Sequence, residues 1–117
     1  MPEHSEAGRF LCSELVEVCL FAACGEAWQV VGNLEEISPE AAVLLLDVPA
    51  RKHSRLSFTA GHRRFSAVVE SCAYEPPLGY MVSIRFAGGY RWSLKDFAPA
   101  HFLRAREKPS LARAVSN

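Results

Sequence analysis

Residues 80 to 86 read Tyr-Met-Val-Ser-Ile-Arg-Phe, which sets Tyr80, Val82, Ile84 and Phe86 on one face and Met81, Ser83 and Arg85 on the other. A repeat of two is a strand with one buried face, and a helix would scatter those four apolar side chains around its circumference. Working upstream, Glu75-Pro76-Pro77-Leu78-Gly79 breaks the chain, since Pro cannot donate to a ladder and Gly permits the turn. Before it, Arg64 to Ala73 and Arg55 to Thr59 alternate in the same way, with Leu56 and Phe58 inward and Arg55, Ser57 and Thr59 outward. The connection Ala60-Gly61-His62 joins them as a hairpin, and the three strands form an antiparallel meander.

Further upstream, Leu15 to Ala23 is rich in Val, Leu and Phe and closes at Cys24-Gly25-Glu26. Trp28 to Leu34 follows as the second arm of a hairpin. Glu35-Glu36-Ile37-Ser38-Pro39-Glu40 is a polar turn, Ala41 to Leu46 an apolar run of strand length, and Asp47 to Ser54 a basic loop. Six strands with turn signals between them predict an all-β fold, a six-stranded antiparallel barrel whose closure removes exposed edges. Trp28, Phe58, Phe65, Tyr80 and Phe86 are expected in its core. Downstream, Ser93 begins a capped turn and Ala100 to Arg106 a short C-terminal helix, with Phe10, Tyr90, Trp92, Phe97 and Phe102 packing this segment onto the sheet. The expected organisation is one domain over 9 to 106, with mobile tails at 1 to 8 and 107 to 117.

Composition sets the outer limits. The 117 residues hold 13 Lys plus Arg and 13 Asp plus Glu, enough chain for one domain and too little for two. No apolar run approaches the ~18 residues that cross a bilayer, and the acidic start is unlike a secretory signal, which points to a cytoplasmic protein with no membrane partner. Cys12, Cys19, Cys24 and Cys72 form no C-x-x-C and read as reduced structural thiols. The zero net charge hides a polarity: residues 1 to 50 carry nine acids and one base, residues 51 to 117 twelve bases and four acids. The expectation is that strands of the two halves interleave and neutralise each other. DNA or RNA binding is disfavoured by a pI of 6.9.

Catalytic signatures are absent: no H-E-x-x-H, G-x-S-x-G, Walker loop or G-x-G-x-x-G occurs, and His4, His53, His62 and His101 lack metal-ligand spacing. A binding module is expected, with no enzyme activity, no metal and no resident cofactor.

The segment Glu36-Ile37-Ser38-Pro39-Glu40-Ala41 resembles the D-x-S-x-x-G turn of PilZ domains, bacterial six-stranded barrels that in many members bind cyclic di-GMP. The likeness runs from Arg9 to about Leu103. It takes in an arginine-bearing lead-in, two strands, the acidic-x-Ser turn, Asp47-Val48-Pro49, a hairpin, and a Gly-Tyr strand ending in Arg85-Phe86. The closing Trp92-Ser93 through Phe97-x-Pro99-x-His101-Phe102-Leu103 is similar to PilZ tails.

The resemblance implies a ligand site in which an R-x-x-x-R lead-in pairs with guanine edges and phosphate while the turn offers short acceptors. Arg9 stands at the first arginine, but Ser13 at the second; Glu36 and Ser38 keep the acid and hydroxyl, and Ala41 replaces the glycine. A lost bidentate Arg to guanine contact costs about 1–3 kcal/mol, and a methyl at a left-handed position about 1 kcal/mol more. Binding is then weakened roughly tenfold to a thousandfold. Arg51, Lys52 and Arg55 are candidate phosphate contacts from the loop after the third strand. Three readings follow: a regulatory protein-interaction module with weak or lost cyclic di-GMP binding, a functional cyclic di-GMP receptor, or an unrelated barrel binding nucleic acid or a metabolite on its basic half. The process it serves, by the same resemblance, lies among motility, adhesion, biofilm or polysaccharide control.

Overall fold

The computed structural model describes residues 8 to 104. The tails expected at 1 to 8 and 107 to 117 lie outside these residues, apart from Gly8. Seven strands follow one another: β1 (Phe10–Phe21), β2 (Ala27–Ile37), β3 (Ala41–Leu46), β4 (Arg55–Ala60), β5 (Arg63–Glu75), β6 (Gly79–Phe86) and β7 (Phe102–Arg104). The first six close into a ring in the order β1-β2-β3-β6-β5-β4 and back to β1, with every pair antiparallel. This is the expected barrel.

Alternation fills its interior. Val16, Val18 and Leu20 of β1, Ala42, Leu44 and Leu46 of β3, Leu56, Phe58 and Ala60 of β4, and Val82, Ile84 and Phe86 of β6 are all buried. Two strands break the repeat of two. Leu34 and Ile37 of β2 both point inward although three residues apart, because the ladder to β3 slips by one between Leu34 and Glu36. A second slip in β5, between Val69 and Ser71, returns partly buried Cys72 to the core. An extra residue on one strand inverts the alternation beyond it, as a bulge must. At the start of β6, Gly79 has φ +135°, and a Cβ there would lie 2.6 Å from the Leu46 carbonyl oxygen, so only glycine fits.

Several expectations need correction. Among the described residues no C-terminal helix forms from Ala100: residues 102 to 104 are β7, with Leu103 opposite Leu11 on β1, and residues 105 and 106 of the expected helix lie outside them. The cause is an unused edge, since β4 pairs only with Glu17 to Leu20 and leaves the first turn of backbone groups on β1 unsatisfied. Ser93 starts a turn through its carbonyl, which accepts from the Asp96 amide at 2.9 Å, rather than through a side-chain cap. Trp28 is 48% exposed, because β1 and β2 run past the end of β3 and carry it beyond the core. Ser57 faces outward yet is buried beneath Arg64, whose guanidinium donates to its hydroxyl at 3.3 Å. Cys24 lies exposed at the tip of the first hairpin.

The segment after the barrel packs as expected, without a helix. Trp92 is buried, its ring edge-on to Phe10 at 5.7 Å and its Nε1 donating to the Phe97 carbonyl at 2.9 Å. Tyr90 lies edge-on to Phe86, and its hydroxyl donates to the Asp96 carboxylate; burial, then this bond, holds its pKa above the usual value. Phe97 meets Phe65, and Gly61 leaves room for its ring. Phe102 touches Phe10 but stays 40% exposed.

Candidate functional site

The first hairpin sets the lead-in beside the turn. Phe10 pairs with Ile37, so Arg9 arrives next to Glu36 and Ser38, and its guanidinium grips the Glu36 carboxylate through Nε at 2.7 Å and Nη2 at 3.3 Å. Such a fork is the strong form of an ion pair, because the planar donors match the two oxygens. Ser38 does not point at a vacant site: both its amide, at 2.9 Å, and its hydroxyl, at 3.2 Å, donate to the Ala41 carbonyl. The turn is tied down at its other carbonyls, with Pro39 accepting from the Trp92 amide at 2.8 Å and Glu40 from the Phe86 amide at 3.0 Å.

Ala41 begins β3 with ordinary extended backbone; among the described residues the one non-glycine with positive φ is His53. The methyl therefore adds no dihedral strain, contrary to the cost expected of it. Ser13 lies on the outer face of β1, with its hydroxyl 3.3 Å from Asn33 Oδ1. Arg55 is three ladder steps from Ala41, through Val68 and Arg85, about 14 Å around the barrel at the usual strand spacing. Arg51 and Lys52 sit on a loop anchored to β5 by His53, whose amide donates to the Val69 carbonyl. The structure brings together Arg9, Glu36, Ser38 and Ala41, and leaves Arg51, Lys52 and Arg55 on a separate stretch of surface.

Three charged residues at the turn escaped the sequence reading. Arg85 bridges Glu70 at 2.7 Å and Glu40 at 3.6 Å, while Arg91 holds Glu40 at 2.7 Å. Arg9 and Glu36 form a separate pair at the same turn, so that three arginines in all are matched by three glutamates. The signal was present, since Arg85 is an outward residue of the most regular strand. Each pair is solvent-exposed and worth ~0–1 kcal/mol. An incoming anion loses that pairing at each guanidinium and also meets the like charge of the displaced carboxylates.

A polar hollow of about 160 Å³ lies elsewhere, at the seam of β1 and β4, lined by Glu17, Cys19, Gln29, Ser57, Thr59 and Arg64 among others. None of the expected ligand residues contributes to it, and it is smaller than the ~300 Å³ of ordinary small-molecule sites. Among the described residues no group of three His, Cys, Asp or Glu could hold a metal ion, and no helix is long and apolar enough to cross a membrane.

Cys12 lies between these carboxylates. Burial, reinforced by Glu14, Glu35 and Glu36, pushes its thiol up to about 12, and its Sγ donates to the Leu34 carbonyl at 3.6 Å. At pH 8 its thiolate fraction is on the order of one in ten thousand. Maleimide labelling at that pH, read by peptide mass, is expected to modify exposed Cys24 first and Cys12 at least roughly tenfold more slowly. Equal rates would show that Cys12 is neither buried nor surrounded by negative charge.

No protein-family model matches the chain, no curated protein matches it, and no solved structure matches it.

Proposed function

We propose that the protein is a PilZ-like regulatory domain that acts through contact with a protein partner and has weak or no affinity for cyclic di-GMP. The single observation that carries this reading is the two-pronged bond from Arg9 to Glu36. In the resemblance this arginine is aimed at the ligand; here the acid of the turn occupies it, and no second arginine stands at Ser13 to take over. Arg85 and Arg91 are engaged by Glu40 and Glu70 in the same way. A dinucleotide carrying two phosphates would meet three carboxylates at this turn and would have to displace them. Exposed apolar side chains suit protein contact: Leu15 is 75% and Val31 62% exposed on β1 and β2, where a barrel facing only water would carry polar residues.

Calorimetric titration of cyclic di-GMP tests the reading. The wild-type chain is expected to give no heat, or a dissociation constant above about 100 μM, and Ser13→Arg with Ala41→Gly is expected to tighten binding at least tenfold, about 1.4 kcal/mol. A micromolar constant for the wild type would establish the receptor reading, with phosphate replacing Glu36 and Glu40 on the arginines. No gain in the double variant would mean that this turn does not correspond to the family's ligand turn.

A further inference from the structure

The strand order separates the charges that the sequence halves carry. Going around the barrel, β1, β2 and β3 are neighbours and β6, β5 and β4 are neighbours, so the six barrel strands form two walls, one from each half of the chain, while the short β7 of the second half lies on β1. The expected mutual neutralisation fails for this reason. Residues 8 to 50 hold seven acids and one base, a net charge of −6, and residues 51 to 86 hold six bases and two acids, a net charge of +4. The ion pairs that cross between the walls, from Arg85 and Arg91 to Glu40, lie at or beside the β3–β6 seam.

Away from that seam Arg9 pairs with Glu36 and Arg63 lies 4.0 Å from Asp96, and other described charges make no ion pair. Among the described residues Glu26, Glu35 and Asp47 of the acidic wall and its loops make no ion pair, nor do Arg51, Lys52 and Arg55 of the basic wall, while Glu17 and Arg64 line one hollow at the second seam, where β1 meets β4. The acidic wall also exposes Leu15 and Val31, diagonal neighbours across β1 and β2. The basic wall offers a floor of short side chains, Ser66, Val68 and Ser83, between its arginines. Because the whole chain has zero net charge, two copies experience no long-range repulsion, and their oppositely charged walls attract.

We propose that the acidic wall of one molecule packs against the basic wall of a second copy, so that the protein self-associates head to tail. The two surfaces differ, so the contact is heterologous and leaves one acidic and one basic wall free at the ends of any assembly. Mass therefore grows with concentration without stopping at two. This inference goes beyond the proposed function and does not depend on cyclic di-GMP.

Sedimentation velocity of the full chain across a hundredfold concentration range tests it, at about 20 mM and about 500 mM NaCl, where screening shortens the reach of charge severalfold. At low salt the weight-average mass is expected to climb from 12.9 kDa past twice that value, and at high salt to return to the monomer. Glu26→Lys with Glu35→Lys is expected to stay monomeric at low salt, as is Arg51→Glu with Arg55→Glu. Circular dichroism of each checks that the barrel is intact. An acid-wall variant keeps its basic wall, so mixing either variant with wild type is expected to cap chains and lower the mean mass of the wild type. A monomer at every low-salt concentration would overturn the proposal. So would association that ignores salt, that persists in the charge-reversed variants, or that stops at a dimer.

Discussion

Trp92→Ala is expected to lower the unfolding midpoint by on the order of 15 °C, the largest effect of any change outside the six barrel strands. The indole is 2% exposed, meets Phe10 edge-on, and donates to the Phe97 carbonyl, while its own amide holds the Pro39 carbonyl in the turn. Removing a buried tryptophan side chain costs about 3–5 kcal/mol, and at this chain length each kcal/mol moves the midpoint by roughly 4 °C. Trp92→Phe separates packing from hydrogen bonding, since it keeps most of the ring and leaves the Phe97 carbonyl unpaired, a loss of about 1–2 kcal/mol. Differential scanning calorimetry reads both. A drop below about 4 °C for Trp92→Ala would show that the segment after β6 rests on the barrel without holding it together.

Phe58→Ala is expected to cost as much, for a different reason. Phe58 is 1% exposed and stacks on Phe65 at 5.1 Å, with Phe86 at 6.4 Å, so three strands meet through it. The cavity left by alanine cannot be filled from a closed ring of strands without breaking ladder bonds, and about 3–5 kcal/mol is lost. Phe58→Leu keeps more of the volume and is expected to cost less than half as much. Urea unfolding followed by tryptophan fluorescence measures both variants. Equal costs for Ala and Leu would mean that the aromatic cluster contributes by ring contact alone, and near-neutrality of Phe58→Ala would mean that the barrel interior is loosely packed.

The barrel was legible because its signals are local. Tyr80 to Phe86 and Ala41 to Leu46 show their strand limits through alternation and flanking turn residues, and the observed strands agree within a few residues. Trp28 was misread because apolar alternation does not show where a strand outruns its neighbours. The tail was misread because β7 forms only where β1 offers an unpaired edge, a property of the assembled sheet and not of Phe102 to Arg104. For the candidate site, Arg9, Glu36 and Ser38 were grouped by the resemblance alone, because the first hairpin was read only from Leu15 to Leu34 and the structure extends it to Phe10 and Ile37. The partners of Arg85 and Arg91 did not follow, because Glu40 reaches them only when β3 lies beside β6. Charge segregation was hidden for the same reason: the ring order, and not the sequence order, decides which strands share a wall.

In the proposed function, Glu36 and Glu40 hold the arginines that a dinucleotide would otherwise engage. Thermal unfolding of the full chain with and without saturating cyclic di-GMP, with GTP as the control, tests it most directly. A ligand at about 100 times its dissociation constant adds about 2.7 kcal/mol, which for a chain of this length raises the midpoint by roughly 10 °C. A shift below about 2 °C is expected with either nucleotide. A shift near 10 °C confined to cyclic di-GMP would contradict it and make the protein a receptor.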